Sequence, residues 1–299
     1  MTTYKIGIDL GGTKTEALLL DSRDRQVHRK RVSTPRRDGY EAILELVSWL
    51  VRETASRVPG QTPYTVGIGI PGSINTETRL VQNANTTCLI GRPLKTDLEK
   101  LLGRRVGMTN DANCFTLAES RCGAAQGYGF VFGIIMGTGC GGSLCINGKV
   151  RTGGNAIAGE WGHVCVDPRG ARCYCGNRGC VETKISGSGV EAAFLEKYGR
   201  SLTMRKIVQG FRSRDKECSD LFCQFLDDFG RCLGGLISVL DPDAVVLGGG
   251  LSNIDELYSL GVERVRHYVF HQNITTPVLK NSLGDSAGVF GAAWIGEEG

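Results

Sequence analysis

Lys5-Ile6-Gly7-Ile8-Asp9-Leu10-Gly11-Gly12-Thr13-Lys14-Thr15-Glu16-Ala17-Leu18-Leu19-Leu20 decides the fold. A short apolar run ends in a glycine bend and is followed at once by a second apolar run. That pattern predicts strand Lys5–Leu10, a tight turn and a returning strand Glu16–Leu20. The same architecture recurs far downstream, where strand Phe130–Met136 leads into Gly137-Thr138-Gly139-Cys140-Gly141-Gly142 and a returning strand Gly142–Ile146. A strand-turn-strand used twice, roughly half the chain apart, predicts two similar lobes facing one another across a cleft. The boundary is expected near Asp111–Cys122.

The rest of the chain alternates between the two periodicities. Strands are expected at Gln26–Val32, Thr65–Ile70, Val106–Met108 and Ala244–Leu247. Helical spacing places Ile43, Leu46, Val47, Leu50 and Val51 on one stripe of Tyr40–Arg57, and helices are also expected over Ala112–Gln126, Gly187–Tyr198, Leu221–Leu240 and Asp255–Phe270. The class is α/β. With 299 residues, 41% hydrophobic and 22% charged, the chain buries a large core and suits two lobes. The net charge of +4 is dispersed, with no Lys/Arg run longer than Arg29-Lys30-Arg31, so nucleic-acid binding is not implied. The first residues lack the pattern of a secretory signal, and no apolar run reaches the ~20 residues of a membrane span. The 12 cysteines in so long a chain point to a reducing, cytoplasmic setting rather than a disulfide scaffold. Cys88, Cys114, Cys145 and Cys232 are then expected as small buried residues.

Glycine turns expose consecutive N–H groups with no Cβ in the way, so a polyphosphate can approach the main chain closely. Gly11, Gly12, Thr13 and Lys14 form one candidate cradle, and Gly137, Thr138, Gly139, Cys140, Gly141 and Gly142 form the other. Asp9 is placed to orient water or a Mg²⁺ ion that bridges phosphate oxygens. Neither turn fits G-x-x-x-x-G-K-[ST], and neither opens directly into a helix. A ligand-free hairpin is the plain alternative. A third strand end, Val245-Val246-Leu247-Gly248-Gly249-Gly250, ahead of a helix near Asn253, adds Gly248, Gly249 and Gly250 to the candidate cofactor-binding set.

His163-x9-Cys173-x-Cys175-x4-Cys180 offers one imidazole and three thiols in a turn-rich segment, a tetrahedral set for a structural Zn²⁺. A redox pair is a weaker alternative, because Cys173 and Cys175 lack two-residue spacing. Asp111 lies at a strand-to-helix junction, where it is either a helix N-cap or a proton acceptor.

Ile6 to Lys14, Gly137 to Gly142 and Leu247 to Gly250 resemble the three nucleotide segments of ROK-family sugar kinases, and the resemblance runs nearly end to end. It implies two ribonuclease H-like lobes of the actin/hexokinase/heat-shock-chaperone superfold with an interlobe cleft. Residues 1–115, completed by a closing helix over 287–299, would form the small lobe, and 116–286, carrying the zinc turn 163–180, the large one. It also implies transfer of the ATP γ-phosphoryl to a hexose 6-hydroxyl, assisted by Mg²⁺, with Asp111 as general base. Asn110, Glu160, His163 and Glu182 match the family's sugar contacts, with His163 sharing its two nitrogens between zinc and a hydroxyl. Gly72, Ser73 and Asn85 resemble sugar-facing loops, although Asn85 also suits an ordinary turn. Asn83 to Thr87 looks closest to the fructose/mannose branch, so fructose is the expected acceptor, with N-acetylglucosamine or N-acetylmannosamine as the alternative. A homodimer without nucleic-acid or membrane partners is expected. Other functional classes are a zinc-braced sugar binder without catalysis and a ROK transcriptional regulator. The regulators carry a helix-turn-helix domain ahead of the first phosphate strand, and this sequence reaches Asp9 almost at once.

Overall fold

A computed structural model of the protein describes residues 3–271 and 273–298; residue 299, the last of the expected closing helix, lies outside them. The chain divides into two compact units. One comprises Met1–Ala118, Val150–Ala158 and Asp285–Gly299, and the other Glu119–Lys149 and Gly159–Gly284.

The first unit begins β1 (Tyr4–Leu10), β2 (Lys14–Leu20), β3 (Gln26–Ser33), α1 (Tyr40–Ala55) and β4 (Tyr64–Ile70). It continues through a small ribbon of β5 (Ser73–Ile74) and β6 (Val81–Gln82), then α2 (Leu94–Leu102), β7 (Gly107–Asn110) and the start of α3 (Asp111–Cys122). Its sheet runs β3-β2-β1-β4-β7, antiparallel through β1, β2 and β3 and parallel through β1, β4 and β7. Ile6, Ile8, Ile68 and Ile70 are fully buried because the central strands are covered on both faces, the condition that makes parallel strands read as near-continuous apolar runs. Helix α1 packs Ile43, Val47, Leu50 and Val51 into this core, the stripe its spacing predicts.

The second unit repeats the plan. Strands β8 (Phe130–Met136), β9 (Cys140–Ile146) and β10 (Lys149–Val150) precede α4 (Val181–Ile185), α5 (Gly187–Tyr198), α6 (Met204–Arg212) and α7 (Lys216–Leu240). Then come β11 (Ala244–Gly248), α8 (Leu260–Tyr268) and β12 (Val278–Lys280). The sheet order is β10-β9-β8-β11-β12, with β8–β9 antiparallel and β8–β11–β12 parallel. Leu221, Phe222, Phe225, Phe229 and Leu233 of α7 form the spine of this core.

Helix α7 starts five residues before its apolar period does, because Asp215 caps it by accepting the Cys218 N–H at 2.9 Å. The helix expected over Asp255–Phe270 is broken instead into a three-residue turn, Asp255–Leu257, and α8, since Ser259 between them sits at φ −113°, ψ −86°.

The chain ends in α9 (Ala287–Ile295), which belongs to the first unit and packs on β1 and β4. Gly7, Gly67 and Gly107 stand in register across β1, β4 and β7 and form a row of bare backbone beneath it. A Cβ on Gly67 would lie 1.9 Å from the Ala292 carbonyl oxygen, and Cβ atoms on Gly7 and Gly107 would meet those of Val289 and Ile295 at 2.3 and 2.1 Å. Glycine is therefore required at all three positions for the helix to approach the sheet.

Candidate functional site

In the first unit the β1–β2 turn is closed by the Gly11 N–H donating to Lys14 O at 3.0 Å. Thr34, just past β3, braces it from the side. Its N–H donates to Thr13 O at 2.9 Å, its hydroxyl donates to Gly11 O at 2.7 Å, and the buried Thr15 and Thr34 hydroxyls meet at 2.8 Å. Thr13 and Lys14 are exposed at the tip.

Asp9, one residue before the end of β1, stands opposite Glu16, whose buried carboxylate is ion-paired with Arg29 and Arg31. Burial pushes the Asp9 carboxyl up to about 7, helped by the negative charges of Asp111 and Glu16 and opposed by Arg31. Helix α9 crowds the same carboxylate, since a Cβ on Gly288 would stand 2.7 Å from Asp9 Oδ2.

Asp111 is the first residue of α3. The capping duty falls on its neighbour, because Asn110 Oδ1 accepts the Asn113 N–H at 2.8 Å. Asp111 Oδ1 accepts from the adjacent Ala112 N–H, at 2.8 Å, and the residue keeps an open face to solvent. Desolvation by the surrounding protein raises its carboxyl, against the lowering effect of the Ala112 and Asp111 N–H groups. An accessible carboxylate of raised basicity suits proton acceptance.

The two loops expected to face a sugar are tied together: the exposed Asn85 donates its N–H to Pro71 O at 3.1 Å. Gly72 packs so closely on this loop that a Cβ would be 2.8 Å from Gln82 O, and the buried Ser73 hydroxyl accepts from Gln82 Nε2 at 3.3 Å. Gly72 and Ser73 thus shape the loop, and Asn85 presents its side chain.

In the second unit, the N–H of Gly137 donates to Gly139 O at 2.9 Å. The head of α5 clasps this turn: Gly187 N–H donates to Gly137 O at 2.8 Å, and the Ser188 hydroxyl donates to Thr138 O at 2.6 Å. Glu182, at the head of α4, accepts the Cys140 N–H on Oε2 at 2.9 Å. The Cys140 side chain points into the core, and burial raises its thiol. Gly142 packs against Gly159 O, where a Cβ would be 2.7 Å away, and Gly141 lies in β9 opposite Ile135. Past Gly248, Gly249 takes φ +77° where a Cβ would stand 2.3 Å from Met136 O, and Gly250–Asn253 forms a short three-ten turn in place of the expected helix.

His163, Cys173, Cys175 and Cys180 converge, with all four donor atoms within 4.8 Å of one another. His163 Nδ1 lies 3.7 Å from Cys173 Sγ, and Cys175 Sγ lies 3.6 Å from Cys180 Sγ. With Zn–S near 2.3 Å and Zn–N near 2.0 Å, tetrahedral ligands are separated by about 3.5–3.8 Å. The donor set fits the ion. The Asn177 N–H holds the Cys175 thiol below its usual value, whereas burial raises Cys173 and pushes Cys180 up to about 12. The second imidazole nitrogen, Nε2, meets a protein hydroxyl, that of Tyr174, at 3.1 Å. Desolvation of that hydroxyl, with the charges of Glu182, Cys173 and Glu160, pushes it up to about 12.

Thr34, Tyr174, Gly187 and Ser188 escape a reading by motif. Thr34 ahead of Pro35, and the Ser186-Gly187-Ser188-Gly189 run just after the cysteine turn, carry the only local signal: small or hydroxyl residues at the junction of two elements.

Residues 5–298 match the family model described as "ROK family". The chain is 39% identical to the N-acetyl-D-glucosamine kinase of Pectobacterium carotovorum subsp. carotovorum over 97% of each chain, and 36% identical to that of Mannheimia succiniciproducens over 96% of this chain and 97% of the other. Among solved structures it matches the ROK hexokinase of Thermus thermophilus with a TM-score of 0.88 and 31% identity, over 98% of this chain and 97% of that one. The ROK glucokinase of Streptomyces griseus, in complex with glucose and AMPPNP, matches with a TM-score of 0.79 and 29% identity over 99% and 100% of the two chains. The α/β sheets of both units and the near end-to-end match agree: the chain belongs to the ROK family.

Proposed function

We propose that this protein is an ATP-dependent sugar kinase whose acceptor is N-acetyl-D-glucosamine, phosphorylated on its 6-hydroxyl. The observation that carries the reaction is the placement of Asp111, an open-faced carboxylate of raised basicity in the unit that also holds Asp9 and the Gly11–Lys14 turn. A hexose hydroxyl is a weak nucleophile until its proton has an acceptor, and Asp111 fills that role. The turn N–H groups, with Thr13 and Lys14 exposed at the tip, receive the phosphates. The crowded carboxylates of Asp9 and Asp111 are the setting a divalent cation relieves, so Asp9 would hold the Mg²⁺, which supplies charge neutralisation on the phosphates when bound. In the second unit the Gly137–Gly142 turn is the further phosphate cradle, Glu160 and Glu182 address sugar hydroxyls, and His163 acts on the sugar through the Tyr174 hydroxyl that its Nε2 engages. His163, Cys173, Cys175 and Cys180 would hold a structural zinc that pins the 163–180 turn.

For the acceptor, the kinases named for N-acetyl-D-glucosamine, at 34–39% identity over nearly the whole chain, support the acetamido sugar over fructose. Asn83 to Thr87, which suggested the fructose branch, is a single loop and weighs less than that full-length likeness. A coupled ADP-release assay across N-acetylglucosamine, N-acetylmannosamine, glucose, mannose and fructose tests the reading. The highest kcat/KM is expected for N-acetylglucosamine, and a higher value for fructose would reverse the assignment.

A further inference from the structure

His163 reaches the zinc set through Nδ1, which leaves Nε2 as the nitrogen available to an acceptor hydroxyl. That nitrogen is engaged by Tyr174 Oη at 3.1 Å, and the two rings meet edge to face with centroids 5.2 Å apart and planes at 88°. With Nδ1 turned to the metal, Nε2 carries the imidazole hydrogen and donates it, so the Tyr174 oxygen accepts and its own O–H remains free to donate outward. The rest of the tyrosine is unusually open, at 75% exposure, although it stands between two zinc-set cysteines. Together with Glu182 it lines a cavity of about 610 Å³, whose wall also carries Arg169, Arg172, Arg178 and Lys184. A phenol donor beside an uncovered aromatic face, held on a residue of the sugar set, is matched by a group with a carbonyl acceptor next to a methyl.

We infer that Tyr174 is a specificity-determining residue of the acceptor-sugar pocket, donating its hydroxyl to the acetamido carbonyl of a 2-acetamido hexose and covering the acetamido methyl with its ring. The inference rests on the acceptor assigned above. A plain hexose offers a hydroxyl at that position, which accepts the phenol hydrogen less strongly and leaves the ring face uncovered, so Tyr174 raises the preference for the acetamido sugar rather than the rate of transfer. Loss of one well-placed apolar contact changes such a preference about tenfold.

The test compares wild type, Tyr174→Phe and Tyr174→Ala as full-length, zinc-replete proteins. Steady-state kcat and KM are measured for N-acetylglucosamine and glucose, and calorimetry measures binding of each sugar without nucleotide. In Tyr174→Ala, KM and the calorimetric Kd for N-acetylglucosamine are expected to rise about tenfold, with kcat within twofold and glucose nearly unaffected. Tyr174→Phe, which keeps the ring, is expected to fall between the two. An unchanged preference in Tyr174→Ala, or equal losses for both sugars, overturns the inference while leaving the acceptor assignment standing. A wild type that does not use N-acetylglucosamine overturns both. Zinc content equal to wild type in each variant shows that the turn itself is intact.

Discussion

Gly67→Ala should unseat α9 from the first unit. The new Cβ would stand 1.9 Å from Ala292 O and 2.5 Å from Gly296 N, both backbone atoms of the closing segment that no side-chain rotation can move aside. Restoring an ordinary contact of 3.4 Å requires helix and sheet to part by about 1.5 Å. A gap of that size forfeits about half of the dispersion across it, and Val289, Ala292, Ala293 and Ile295, all buried, represent about 6 kcal/mol of apolar burial. The expected loss is about 3 kcal/mol, at the upper end of the range for an overpacked core. At ~2–4 °C per kcal/mol for a domain of this size, the melting temperature should drop by about 6–12 °C. Urea unfolding followed by far-UV circular dichroism and by the fluorescence of Trp294 would measure it. A variant within about 0.5 kcal/mol of wild type would show that α9 does not depend on bare backbone beneath it.

Gly235→Ala is the opposite case: this exposed glycine inside α7 has nothing within 4 Å of a built Cβ, so the change should stabilise by about 0.5–1 kcal/mol in the same assay. Asp111→Ala should lower kcat by about 100-fold or more with an unchanged melting temperature, and near-normal turnover would remove Asp111 from the reaction. The acid limb of kcat/KM should lie above pH ~4, the ordinary carboxylate value, because the base works unprotonated and burial raises its carboxyl. As pH falls through that raised value Asp111 gains a proton and activity is lost, and protonation of Asp9 at about 7 should steepen the same limb. Cys180→Ser should release about one zinc per chain by elemental analysis and lower the melting temperature by several degrees, since metal binding at such a site contributes directly to folding.

Sequence periodicity located most elements that carry a long repeating apolar face, but not α6, although Met204, Ile207 and Val208 share one face of it. Strand β8 and helix α5 begin and end where their residues indicate. Helix α2 escapes because it buries only Leu94 and Leu98, and α4 because five residues show no period. The cysteine turn was legible from spacing alone, as four soft donors so close together have few other uses. That Asp111 is not the N-cap was legible only in three dimensions, where Asn110 proves to be the cap. Contacts between distant segments, such as Thr34 on the first turn and Ser188 on the second, leave no local pattern, because one hydroxyl aimed at a carbonyl has no periodicity.

The glycine row also orders events during synthesis. Strands β1, β4 and β7 leave the ribosome early, yet the helix that covers them begins only at Ala287. For most of translation that face has no side chains along its centre line with which to close over itself, so it stays open to any apolar segment nearby. Loss of the last dozen residues would then be felt in yield before it is felt in turnover: the shortened polypeptide would be drawn into aggregates or degraded, while the Gly11–Lys14 turn and Asp111 remained intact in its sequence.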